Sequence, residues 1–88
     1  MTFRVVVHRH AARYLRRLPP KQQGRLKALL RELGEAPLDR PGSKAMAGEW
    51  AGYYRLRAGD LRVIYWVDRQ RETVYVDHIG PRGDIYKR

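Results

Sequence analysis

Three arginines, Arg55, Arg57 and Arg62, punctuate the aromatic-rich, strand-like run YYRLRAGDLRVIYWVD between Tyr53 and Asp68. A guanidinium is effectively always charged and is costly to bury unpaired, so the three cannot all face an apolar core. A hairpin that carries them presents concentrated positive charge on a rigid scaffold. The planar guanidinium fork suits phosphate best. Arg82 follows in IGPRGDIY, where Gly80-Pro81 and Gly83 would hold it at a turn near the sheet end, and Tyr86 could fold back beside it. Four arginines and one phenol would then line a single concavity able to grip a phosphodiester. The alternative is that Arg82 is a solvated turn residue and Tyr86 a core anchor.

Positioning these groups requires a sheet with one covered face. Phe3, Val5 and Val7 alternate with polar or smaller neighbours, so residues 3–8 read as a strand. From about His10, Ala11, Tyr14, Leu15 and Leu18 fall at helical spacing, and Pro19-Pro20 ends that helix while suiting the start of another. Leu26, Leu29, Leu30 and Leu33 mark the second helix, expected to close at Gly34 with Pro37 beyond it. Residues 35–48, rich in proline and glycine, are expected to be a loop. Strands over about 49–58, 60–68 and 72–80 then form an antiparallel meander, turning at Ala58-Gly59-Asp60 and Arg69-Gln70-Arg71. The expected architecture is α+β, in the order β-α-α-β-β-β, with a two-helix hairpin on one face of a small, mainly antiparallel sheet. The other face is left for a ligand.

Period-two geometry places Tyr54, Leu56 and Ala58 on one face of the second strand and Tyr53, Arg55 and Arg57 on the other. On the next strand Leu61, Val63, Tyr65 and Val67 form the apolar set, opposing Arg62, Ile64 and Trp66. Matching registers would gather the three arginines on the open face. His78 suits acid–base work at neutral pH, although a lone strand histidine is more often structural. Trp66 could stack on a base or be buried. His8 and His10 are expected to mark a surface turn.

The chain has 88 residues, enough for one small domain, here taken as 1–88. It has no cysteine, which excludes disulfides and thiolate metal sites and fits a reducing compartment. No apolar run approaches the ~20 residues of a membrane span, and the start is too short in apolar residues for a signal peptide, so a cytoplasmic location is expected. Nineteen Lys+Arg against nine Asp+Glu give a net charge of +10, and fifteen of the cations are arginine. Nucleic acid or an acidic protein is the implied partner, against the alternative of a merely well-solvated basic surface.

The first strand, the ARYLRRLPP helix end, the leucine-periodic helix, the YRLRAGDLRVIY hairpin and IGPRGDIYKR together resemble the RelE/ParE superfamily of toxins from toxin–antitoxin pairs. That resemblance covers essentially the whole chain and implies the RelE-like, microbial-ribonuclease-like fold. In the RelE branch it implies a ribosome-dependent endoribonuclease cutting mRNA in the ribosomal A site. It implies catalytic roles for Arg55, Arg62, Arg82 and Tyr86, with Arg57 close by; Arg57, Lys44 and Lys87 are expected to bind RNA beside them. It further implies a RelB-like antitoxin in a hetero-oligomer, the ribosome and mRNA as partners, and no metal or other cofactor. Some members have a lysine where Tyr53 stands and a histidine where Pro81 stands, which bears on proton transfer more than on phosphate binding. Two other readings are a ParE-like inhibitor of DNA gyrase and a non-catalytic nucleic-acid-binding module.

Overall fold

Alternation in the first strand, β1 (Arg4–Val7), sends Phe3, Val5 and Val7 into the core and leaves Arg4, Val6 and His8 on the opposite face. In the computed structural model, which describes residues 2–38 and 42–81, the chain continues through α1 (Arg9–Arg17) and α2 (Pro20–Glu35). It then forms β2 (Ser43–Ala45), a 3-10 turn at Gly48–Trp50, β3 (Tyr54–Ala58), β4 (Leu61–Asp68) and β5 (Thr73–Pro81). The sheet order is β1-β5-β4-β3-β2, with β1 parallel to β5 and every other neighbouring pair antiparallel. Among the described residues no helix is long and apolar enough to cross a membrane.

Local chemistry explains where the helices begin. The His8 side chain accepts a hydrogen bond from the His10 N–H at 3.1 Å, so His8 caps α1 and His10, also expected at a surface turn, lies in its first turn. Leu18 is extended, as the residue before a proline must be, and Pro20 occupies the first helical position of α2. Ala11 and Leu15 from α1 and Leu26, Leu30 and Leu33 from α2 pack on Leu56, Val63, Tyr65, Val74, Val76 and Ile79. Both helices therefore supply one core on one face of the sheet.

Gly34 does not end α2 as expected; the helix continues to Glu35, and Ala36 caps it. Its lack of a side chain serves close packing instead. A Cβ there would lie 2.8 Å from the Phe3 carbonyl oxygen and 3.0 Å from Val5 Cγ2. The gap is closed by a 2.7 Å hydrogen bond from the Phe3 N–H to the Gly34 carbonyl. Two other boundaries differ from expectation. Residues 35–48 are not all loop, because Ser43–Ala45 adds an edge strand to β3. The strand expected from residue 49 starts at Tyr54, because Gly48 (φ 68) and Gly52 (φ 94) adopt left-handed conformations around the 3-10 turn.

Tyr65 fastens the connection after α2 to this core. Its ring is wholly buried and stacks with Tyr54 at 5.5 Å, and its hydroxyl donates to the Pro37 carbonyl at 2.8 Å. With that proton committed, the Ser43 hydroxyl must be the donor in the 2.6 Å contact with the same oxygen. Burial holds the phenol above its ordinary value of 10.0; the Ser43 hydrogen bond opposes the rise and neighbouring Tyr54 adds to it. A phenol whose pKa is raised by folding contributes fully below the unfolded value of about 10 and loses that contribution as pH climbs toward the folded value. Tyr65→Phe should therefore cost ~1–3 kcal/mol at neutral pH, since it strands a buried carbonyl and a hydroxyl. Denaturant unfolding above about pH 10 should also show a shallower alkaline loss in the variant than in the parent. Equal alkaline slopes would mean that Tyr65 is not the titrating group.

Candidate functional site

The registers settle which side chains share the face opposite the helices. Lys44 of β2 pairs with Arg55 of β3, Arg55 with Ile64 of β4, and Ile64 with His78 of β5. Two residues along β3, Arg57 pairs with Arg62, and Arg62 with Gly80. The parity argument is thus met: Lys44, Arg55, Arg57 and Arg62 occupy adjacent rows on one face, away from Leu56, Val63 and Tyr65. Arg82, Tyr86 and Lys87 lie outside the described residues.

Arg62 differs from the exposed cation expected of it. Only 8% of its surface is accessible, and its guanidinium donates to the Leu61 carbonyl at 3.1 Å and, at the limit of hydrogen-bonding distance, to the Gly59 carbonyl at 3.5 Å. Gly59, with φ 62, makes the tight turn that brings this carbonyl within reach. Arg57 remains exposed and Arg55 half-buried. The ion pair between Arg71 and Asp68 is at the other end of β4, at 3.6 Å, and Asp68 also accepts from the Arg71 N–H. Asp68 thereby serves its own turn, and among the described residues no carboxylate forms an ion pair with Arg57 or Arg62.

A β-bulge completes the face. The partner of Ile64 is His78 while that of Tyr65 is Val76, so one extra residue, Asp77, enters β5. Val74 and Val76 lie in the core before the bulge and Ile79 after it, which turns His78 outward onto the basic face. Trp50, from the 3-10 turn, lies edge-on to Tyr53 at 5.3 Å and to His78 at 5.6 Å. These partners belong to the β3 and β5 sides of the sheet, so the indole spans the β4 row holding Ile64. Ile64 is fully buried although it faces away from the helices. The face expected to be wholly open is therefore partly covered. Sequence reasoning missed Trp50 in this role; its spacing before Gly52 and the hairpin was the available signal.

Two arginines directly opposite each other repel, and such like-charged cross-strand pairs oppose sheet formation. Arg57→Gln should therefore raise unfolding free energy by ~0.2–1 kcal/mol at low ionic strength. The gain should shrink in about 1 M salt, where screening is short-ranged. A destabilised variant, or a gain indifferent to salt, would show that the pair is not repulsive.

This geometry has counterparts. The family model described as the ParE toxin of type II toxin–antitoxin systems, parDE, matches residues 5–86. Toxin RelG of Mycobacterium tuberculosis is 33% identical over 81 residues, covering 89% of this chain and 88% of RelG. The RelBE2 toxin–antitoxin complex of M. tuberculosis contains a chain superposing with TM-score 0.83 at 26% identity, covering 93% of this chain and 100% of that one. A chain of the archaeal RelE–RelB complex from Pyrococcus horikoshii gives TM-score 0.81 at 30% identity, covering 96% and 99%. With its whole fold and nearly all its length matched, the chain belongs to the RelE/ParE family of toxins from type II toxin–antitoxin systems.

Proposed function

We propose that this toxin is a metal-independent, ribosome-dependent endoribonuclease that cuts mRNA in the A site and so inhibits translation. The observation that carries this reading is the Arg57–Arg62 pair, with Arg62 held down by carbonyls at the hairpin turn and no carboxylate neutralising either cation among the described residues. Maintaining unneutralised like charges on one rigid face opposes stability and favours a polyanionic partner. The RelE-like character of the chain and the shared face of Arg55, Arg57 and Arg62 favour RNA as that polyanion.

In this reaction the RNA's 2′-hydroxyl attacks the adjacent phosphorus and expels the 5′-oxygen. Attack requires in-line alignment, loss of the hydroxyl proton, stabilisation of extra charge on phosphorus and protonation of the leaving oxygen. Arg55, Arg62 and Arg82 are assigned to charge stabilisation, because arginine is too weak an acid to exchange protons near neutrality. Tyr86 is assigned as the base, a role in which a phenol gains from any nearby positive charge. Arg57, Lys44 and Lys87 bind the RNA backbone. Aligning the message is left to the ribosome, and the work takes place in the cytoplasm.

The partner is a RelB-like antitoxin forming a hetero-oligomer with the toxin, as the RelBE2 and P. horikoshii complexes do with theirs. Among the described residues, apolar clefts are available to it. One, of about 350 Å³, runs between α2 and the β3–β4 turn and includes Leu26, Leu29, Ala58 and Leu61. Another, of about 530 Å³, lies along β1 and α2 and includes Phe3, Val5, Val7 and Leu30.

Incubation with programmed ribosomes tests the reading by mapping cut sites on the message. Arg62→Ala should lower the single-turnover rate by ~10²–10³-fold, as removal of a transition-state donor does. Its unfolding midpoint, measured alongside, separates lost chemistry from lost fold. Intact mRNA with trapped gyrase–DNA complexes would instead establish a ParE-like activity. RNA binding without cleavage by the parent would establish a non-catalytic module.

A further inference from the structure

Beyond the arginine rows, the same sheet face carries a second set of side chains. Trp66 of β4 pairs with Tyr75 of β5, and their rings stack at 4.6 Å with an interplanar angle of 19°. That separation matches the spacing of neighbouring strands, so the rings stand side by side with their faces turned along the strand-to-strand direction. One face of Tyr75 is therefore occupied by Trp66, and the other looks toward β1. The residue paired with Tyr75 on β1 is Val6, a short side chain that is 39% exposed. Arg4 pairs with Thr73 on the same side and is exposed. Strand geometry places it about 7 Å from Val6 along β1.

We propose that Tyr75, backed by Trp66 and floored by Val6, is a stacking site for one unpaired nucleobase, with Arg4 receiving the phosphate of that nucleotide. An aromatic wall, an apolar floor and a cation on the rim match the base, its edge and its backbone charge in turn. The occupant is single-stranded RNA, because the basic rows of Arg55, Arg57 and Arg62 continue along the same face and would follow the same backbone. A duplex keeps its bases stacked on one another and could not offer one to Tyr75. The site rests on the ribonuclease reading for the identity of its strand. It gives the toxin a hold on a nucleotide flanking the cut, set by stacking instead of by charge.

Binding distinguishes this site from the chemistry. The probe is a short labelled single-stranded RNA, compared by fluorescence anisotropy with a strand of equal length and charge whose bases are replaced by abasic sugars. The intact protein should bind the abasic strand about fivefold or more weakly, the discrimination expected from one stacked base. Tyr75→Leu and Trp66→Leu, which keep apolar volume and remove the ring, should abolish most of this discrimination, whereas Tyr75→Phe should preserve it. In Trp50→Phe, Trp66 is the remaining tryptophan and its emission should change on binding the normal strand. Equal affinity of the intact protein for both strands would overturn the site irrespective of how any variant folds. So would Leu variants that retain the discrimination. Cleavage on ribosomes without base-dependent binding removes this site and leaves the nuclease reading standing. Base-dependent binding through Tyr75 without cleavage does the reverse.

Discussion

Arg57 and Arg62 stand opposite one another across β3 and β4, and that repulsion is tolerable because the other face of the same strands is deeply buried. Leu56 pairs with Val63 and Tyr54 with Tyr65, and apart from the partly exposed Tyr54 these side chains are fully enclosed beneath the two helices. Burying a large apolar side chain contributes ~1.5–3 kcal/mol, whereas an opposed like-charge pair costs ~0.2–1 kcal/mol. The hairpin can thus carry a destabilising face because its reverse is strongly stabilising. Period-two alternation makes the two requirements compatible: one strand meets both, and a slip of one residue would exchange them.

Keeping that register fixed depends on contacts made far away in sequence. Tyr65 binds Pro37 and, through Ser43, the edge strand β2, which in turn places Lys44 beside Arg55. The same phenol that sits in the core therefore determines the boundary of the basic face. At the other edge of the sheet, the close approach of Gly34 to Phe3 seats α2 against β1. β1 then lies beside β5 with Val6 next to Tyr75. Both edges of the open face are positioned by groups on its buried side.

Alternating apolar residues and proline and glycine punctuation made the helix hairpin, the three-strand meander, much of the core and the shared face of Arg55, Arg57 and Arg62 legible from sequence. What was not legible depends on three-dimensional accidents of pairing. Val74, Val76 and His78 have the same parity, and nothing local announces that Asp77 is an extra residue that turns His78 the other way. The strand β2 has no hydrophobic period of its own, with Lys44 and Ala45 exposed, and exists because β3 offers an edge. Gly34 was read through the commonest reason for glycine near a helix end, whereas its place is set by a backbone packed across the sheet edge. Trp50 could be assigned only once the turn at Gly52 returned it toward His78. Arg82 and Tyr86 were singled out by the same sequence reasoning and fall outside the described residues.

Under the proposed nuclease reading, charge stabilisation and proton transfer would fall to different groups. Charge stabilisation works best from groups that need no reorganisation as negative charge develops, and Arg62, buried and held by the hairpin turn, has that character. A general base must instead meet a particular hydroxyl at hydrogen-bonding distance, and its usefulness depends on how its proton affinity responds to the charges around it. Strand register fixes the rows of cations without any rearrangement, and in the proposed reaction they would supply that electrostatic setting in advance. The stacked pair of Trp66 and Tyr75 carries no charge, so a base held there as proposed would leave the electrostatics of the arginine rows undisturbed.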